Sequence, residues 1–146
     1  MYRIQKRFSV PIGHRLSFHK GKCANFHGHN FDFVIGLKRP DLNVHGMVMD
    51  FSDLKEFVVA IIGKWDHALL LYNKDYKKLC KQMDIESVFG RVFNIHSLSF
   101  EPTAENLARN VFEQLKYQIN KLYPDVMLEF VEVWENSNSM AEYRED

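Results

Sequence analysis

Three of the seven histidines in this 146-residue chain, His14, His27 and His29, fall where strand geometry could gather them. His27 and His29 flank Gly28, and on a strand residues i and i+2 leave the same face, about 6–7 Å apart along the backbone. His14 follows a first stretch of strand pattern, where pairing with the second would bring it beside His27. Three neutral imidazoles with an open fourth position form a catalytic zinc site, whereas a fourth protein ligand makes a closed, structural one. Cys23 leaves that choice open, either as the fourth ligand or as a reactive thiol whose pKa falls near the metal. Gly28 leaves room for a ligand or a second chain to approach. The same pattern is also compatible with two strand histidines that simply find ordinary partners.

Three further places carry acids or bases. Asp66-His67 sets a carboxylate beside an imidazole, which would raise the basicity of the ring and fix its tautomer. The plainer alternative is a histidine at a helix C-terminus beside a solvated aspartate. Glu135 lies on a stretch where Met127, Val131 and Val133 share its face and Leu128, Phe130 and Trp134 take the other. An acid at the rim of an apolar surface is costly unless paired, and a ligand with N–H donors would pair it. A strand-end acid reaching water fits the same pattern. Thr103 and Glu105 have the spacing of residues that cap a helix. His19, His45 and His96 lack partners at metal spacing and read as surface or turn residues, Cys80 reads as packing, and Lys74, Lys77, Lys78 and Lys81 as a solvated face or, alternatively, an anion site.

The elements that must position these groups follow from periodicity. Residues 2–10 alternate, with Tyr2, Ile4, Phe8 and Val10 on one side, and Pro11 and Gly13 are expected to end the strand. Alternation returns from His27 to Leu37, so two antiparallel strands joined by a long connection are predicted. Ser52 is placed as N-cap of a helix with Leu54, Val58, Ile61, Ile62 and Trp65 on one stripe, closed by Asp66-His67. A short helix is expected around Tyr76, Leu79, Cys80 and Met83, and a brief strand over Val92–Ile95. A second strong helix starts at Pro102-Thr103, buries Leu107, Val111, Leu115, Ile119 and Leu122, and stops at Pro124. A final strand covers Val126–Glu135. Strands at the ends with helices between them predict an α+β fold, an antiparallel sheet with helices on one face.

Composition bounds what such a chain can be. It is 46% apolar with 12 Phe, 6 Tyr and 2 Trp, which suits a single domain over residues 1–146 and excludes intrinsic disorder. Nineteen basic residues offset nineteen acidic ones, so no broad basic surface for nucleic acid is expected. No stretch is apolar enough for a membrane span or a secretory leader. Two cysteines, Cys23 and Cys80, read as reduced thiols of a cytoplasmic protein.

Taken in order, His14-Arg15-Leu16, Cys23-x-x-x-His27-Gly28-His29-Asn30, Gly46-Met47-Val48-Met49-Asp50-Phe51-x-x-Leu54-Lys55, Asp66-His67, Pro102-Thr103-x-Glu105-Asn106 and Glu135 resemble the family of 6-pyruvoyl-tetrahydropterin and 6-carboxytetrahydropterin synthases. The resemblance runs from about Phe8 to Tyr143. It implies a tunnelling fold whose subunits pool their sheets into a barrel, commonly as a homohexamer, and 7,8-dihydroneopterin triphosphate as substrate. By that pattern His14, His27 and His29 would bind zinc, Cys23 would be the general base, and Asp66 and His67 would complete a proton relay. Glu135 would anchor the pterin, with Thr103 and Glu105 lining the pocket.

The three-residue gap between Cys23 and His27 is similar to that of the bacterial carboxy-forming enzymes. It implies a zinc-dependent lyase that makes 6-carboxy-5,6,7,8-tetrahydropterin, acetaldehyde and triphosphate on the route to queuosine and other 7-deazapurines. The alternatives are the pyruvoyl product of biopterin synthesis, and a non-catalytic zinc-stabilised module that binds a pterin or purine.

Overall fold

The computed structural model describes residues 1–82 and 94–145. Two long strands dominate it, β1 (Tyr2–His14) and β2 (His27–Arg39), paired antiparallel without interruption from Tyr2↔Arg39 to His14↔His27. Alternation sends Ile4, Phe8, Val10 and Ile12 of β1, with Phe31, Phe33, Ile35 and Leu37 of β2, to one face and into one core. The opposite face is polar and laced across strands, with Arg7 on Asp32 at 3.0 Å and Arg3 on Glu129 at 2.9 Å. β1 does not stop at Pro11 as expected. The Pro11 carbonyl accepts the His67 N–H at 2.8 Å, on the side away from β2, so the missing proline N–H also faces away and the β1–β2 ladder loses no donor.

Four more strands complete a curled, mixed sheet: β3 (Ala68–Tyr72), β4 (Asn94–Leu98), β5 (Met127–Asn136) and β6 (Ser139–Tyr143), in the order β4-β3-β1-β2-β5-β6. β1, β2 and β5, which periodicity predicts, form an antiparallel part together with β6, while β3 and β4 add in parallel. Neither β3 nor β6 was anticipated. Each is only five residues long, too short for alternation to register. The brief strand expected over Val92–Ile95 lies partly outside the described residues, and β4 begins at Asn94. Met83, expected in the short helix, also lies outside them.

Helix α1 (Phe51–Ile62) is capped by Asp50, whose side chain accepts the Ser52 N–H at 2.7 Å; Ser52, the expected cap, is the donor. It buries Leu54, Val58, Ile61 and Ile62 and gives way to one 3-10 turn (Gly63–Trp65). Asp66-His67 therefore lies beyond the helix, at the entry to β3, rather than closing it. Helix α2 (Asn73–Gln82) packs Leu79 on Leu71 of β3. Helix α3 (Ala104–Leu122) is capped by Thr103 and buries Leu107, Ala108, Val111, Phe112, Leu115 and Ile119 against α1, β5 and β6. Leu122, expected on that stripe, is 59% exposed at the helix end.

β5 departs from simple alternation twice. Between Phe130↔Gly36 and Leu128↔Leu37 it advances two residues for one on β2, leaving Glu129 as a bulge. Leu128 thereby turns onto the core and Met127 outward, the reverse of the alternation reading. Opposite the bulge, Gly36 makes room for Phe130, because a Cβ there would overlap its ring. Gly36→Ala is therefore expected to cost about 1–3 kcal/mol by overpacking. The penalty should shrink in a Phe130→Ala background, a coupling that a double-mutant cycle by denaturant unfolding measures.

Candidate metal centre and its surroundings

The β1–β2 register decides the site. His14 pairs with His27 and Ile12 with His29, so all three imidazoles project from the helix-covered face at one end of the ladder. Their rings lie 4.5 Å (His14–His27), 5.2 Å (His14–His29) and 5.0 Å (His27–His29) apart between centroids. One ring nitrogen from each comes within 4.8 Å of the others, the one such group among the described residues. Below them Phe31 stacks edge-on against His14 and His29, both at 5.2 Å, closing the floor with apolar surface.

Hydrogen bonds fix the tautomers. His14 Nδ1 lies 2.8 Å from the Pro102 carbonyl and His27 Nδ1 2.8 Å from the Asn25 carbonyl. A carbonyl only accepts, so each Nδ1 carries the proton and each Nε2 bears a lone pair. Both Nε2 atoms are buried without a protein partner. Converging buried acceptors with no donor are unfavourable, and a cation with three imidazole ligands resolves them. Cys23 is not part of the group, so the closed four-ligand alternative loses its fourth donor. The residues fit a metal ion with an open position.

Burial, first, and the neighbouring rings push His14 down from 6.5 to about 4, against the opposing effect of its bond to Pro102. His29 is also lowered, chiefly by burial, while Glu135 pulls the other way. That pull places the Glu135 carboxylate in the field of His29. Glu135 is the extra residue of the second β5 bulge, between Trp134↔Met140 and Asn136↔Ser139, and is half-buried.

His67 borders a cavity of about 570 Å³ with Pro11, Gly13, Phe26, Gly28, Asn30 and Leu69; Pro11, Gly13, Gly28 and Asn30 alternate with Ile12, His14, His27 and His29, so this cavity lies on the sheet face opposite the imidazoles. His67 Nδ1 donates to the Asp66 carboxylate at 2.6 Å, and its φ of 55° is left-handed, a conformation a non-glycine residue adopts only under constraint. Both side chains are exposed, at 82% and 55%. Cys23 is half-buried in a 3-10 turn (Lys22–Ala24) tied back by its own carbonyl, which accepts the Leu16 N–H at 2.9 Å. Thr103 Oγ1 accepts the Asn106 N–H at 3.3 Å as the cap of α3, and Glu105 is exposed in the first turn.

Periodicity missed Pro102, whose carbonyl orients His14, and Asn25, whose carbonyl orients His27. Their contributions are backbone oxygens, and no side-chain pattern signals them.

The profile of the 6-pyruvoyl tetrahydropterin synthase family matches residues 3–146. The chain belongs to that family. It is 31% identical to the 6-carboxy-5,6,7,8-tetrahydropterin synthase of Haemophilus influenzae, over 99% of this chain and 100% of that one. It is 30% identical to the enzyme of the same name from Aquifex aeolicus, over 99% of each. Among solved structures, an uncharacterized protein from Wolinella succinogenes shares the fold with a TM-score of 0.81 at 23% identity, over 99% of this chain and 98% of that one. The Caenorhabditis elegans 6-pyruvoyl tetrahydropterin synthase does so with a TM-score of 0.67 at 23% identity, over 99% and 96%. The tunnelling fold expected from the resemblance is thus the fold of this chain.

His14 makes the metal-free protein sensitive to acid. Its ring is harder to protonate folded than unfolded, so between pH 6.5 and about 4 the unfolded chain binds the extra proton. Stability of the metal-free protein should fall as pH is lowered through that window, by at most about 3 kcal/mol from this ring. His14→Asn should remove this ring's share of the slope, measured as denaturation midpoint against pH, leaving the part that His29 contributes.

Proposed function

We propose that this chain, acting as one tunnelling-fold domain over residues 1–146, is a zinc-dependent lyase. In this reading it converts 7,8-dihydroneopterin triphosphate to 6-carboxy-5,6,7,8-tetrahydropterin, acetaldehyde and triphosphate, on the route to queuosine and related 7-deazapurines. The observation that carries the reading is the trio of converging imidazoles, two with buried, lone-pair-bearing Nε2 atoms, in a chain that matches the Haemophilus influenzae and Aquifex aeolicus proteins over nearly their whole length. His14, His27 and His29 would hold the zinc, which when bound acts as a Lewis acid on a side-chain oxygen of the substrate.

The chain's own groups do the rest. Cys23 is the general base that takes a proton from the substrate side chain. Asp66 holds the His67 Nδ1–H at 2.6 Å, leaving Nε2 free to pass protons on. Glu135 accepts the N–H groups of a pterin ring, a charge-assisted pairing that the apolar Val131–Val133 face strengthens by excluding water. Thr103 keeps its hydroxyl proton for a ligand, and Glu105 lines the outer rim.

Several features favour a homo-oligomer, which we propose to be a hexamer built as a dimer of trimers. β1 is paired on both sides only at Ile12–His14, and β6 on one side only, so both present unpaired backbone. The exposed Asp66-His67 pair and the 45% exposed Phe26 beside the cavity suit a site completed by a neighbouring subunit. Among the described residues no helix is long and apolar enough to cross a membrane, and a cytoplasmic location is proposed with no nucleic-acid partner.

The family description favours a second reading, the 6-pyruvoyl product of biopterin synthesis, formed by the same residues. Zinc-loaded protein incubated with 7,8-dihydroneopterin triphosphate, its product identified by mass spectrometry, decides between them. A carboxy-tetrahydropterin with acetaldehyde is expected; a pyruvoyl-tetrahydropterin selects the second reading, and no turnover leaves a zinc-stabilised binding module. Cys23→Ala should lower kcat by about 10²–10⁴ while zinc and pterin affinity hold; loss of zinc instead would make Cys23 a ligand. Glu135→Gln should raise the KM for the pterin with zinc content unchanged, and an unaltered KM removes the anchor role.

A further inference from the structure

His14 is aimed from outside the cluster of rings. The Pro102 carbonyl that takes its Nδ1–H is spare, because the first carbonyl that α3 itself uses is that of Thr103, accepting the Leu107 N–H at 3.0 Å. Proline fixes φ at 102 and keeps Glu101 extended, so the direction of this carbonyl depends on how the Glu101-Pro102-Thr103 corner is held.

Two side chains hold it. The Glu101 carbonyl accepts the Thr103 N–H at 2.8 Å and the Asn106 Nδ2–H at 3.0 Å, so the third residue of α3 reaches back to close the corner. The Glu101 carboxylate accepts the Ser17 N–H at 3.3 Å and the Ser17 hydroxyl. Ser17 lies three residues beyond His14. Glu101 therefore grips the same segment whose imidazole Pro102 holds, and the four groups form a closed ring between the end of β1 and the start of α3. Neither Glu101 nor Asn106 belongs to the group that meets at the metal position.

We propose that Glu101 and Asn106 are positioning residues for His14: through the Pro102 carbonyl they fix its Nδ1–H tautomer and ring plane, and so set the affinity of the three-histidine centre for a divalent metal. The proposal rests on the metal-centre reading above and extends it to residues that a helix-cap description of the Pro102–Asn106 segment leaves without a role. Partners that orient a metal-binding histidine are typically worth about 10–100-fold in metal affinity.

Asn106→Asp and Glu101→Gln test it. The first exchange turns a donor into an acceptor facing the Glu101 carbonyl, yet an acid in the first turn favours the helix, so the metal-free fold should hold. The second keeps the size of the side chain and replaces one of its two acceptor oxygens by a donor. Three quantities are read: Zn²⁺ affinity by competition with a chromophoric chelator, the ¹⁵N shifts of the His14 ring in metal-free protein, and the denaturation midpoint of that protein.

Zinc affinity about 10–100-fold weaker, a smaller Nδ1–H fraction at His14 and a midpoint close to the parent's are expected. Affinity within about twofold of the parent in both variants overturns the proposal, since that is well below what such partners contribute. So does weaker binding with the His14 tautomer unchanged. Turnover is not read, so failure of the synthase reading leaves this result unaffected, whereas a parent protein that takes up no zinc overturns the metal reading and the proposal together.

Discussion

Thirteen consecutive pairs between β1 and β2 are the constraint on which everything else here depends. Strand side chains repeat every two residues, so a slip of one would carry Val10, Ile12 and His14 to the polar face and lift the core and the site out together. The apolar residues that fix the register, from Ile4 opposite Leu37 to Val10 opposite Phe31, are continuous with the histidines at its end. Hydrophobic burial along the first ten residues thus supplies the precision with which three imidazoles meet. Helices α1 and α3 cover that face, and the carbonyl preceding the cap of α3 touches His14, so the helix layer both buries the strands and orients one ring.

The electrostatics follow from the same packing. Burial disfavours a charged imidazole at His14, and backbone carbonyls, uncharged themselves, settle which nitrogen carries the proton. His14 therefore presents a neutral ring with its lone pair on Nε2, and the carbonyl bonded to His27 Nδ1 directs Nε2 of that ring to the same place. Glu135 acts on His29 from the last bulge of β5.

Much of this was legible in the residues themselves. Alternation located β1 and β2 and the face they bury, the 3–4 spacing located α1 and α3, and the i, i+2 histidines with His14 marked the centre. What escaped has physical causes. β3 and β6 are too short to show a period, and the Glu129 bulge inverted the faces assigned to Met127 and Leu128, because an inserted residue leaves no mark on hydrophobicity. Pro11 read as a stop because its unpaired side could not be known without the topology. Leu122 read as buried because periodicity does not say where the helix outruns its neighbours. The carbonyls of Asn25 and Pro102 are invisible in principle, since every residue has one.

The second bulge separates two halves of the site in their mechanical dependence. His14, His27 and His29 are locked into an unbroken ladder, and altering their placement means altering the register of the whole sheet. Glu135 sits where the ladder skips, next to the hairpin that joins β5 to β6, so insertions or exchanges in that hairpin can redirect the acid without moving a single β1–β2 pair. The group that Glu135 is proposed to pair is thereby adjustable without disturbing the three-histidine end.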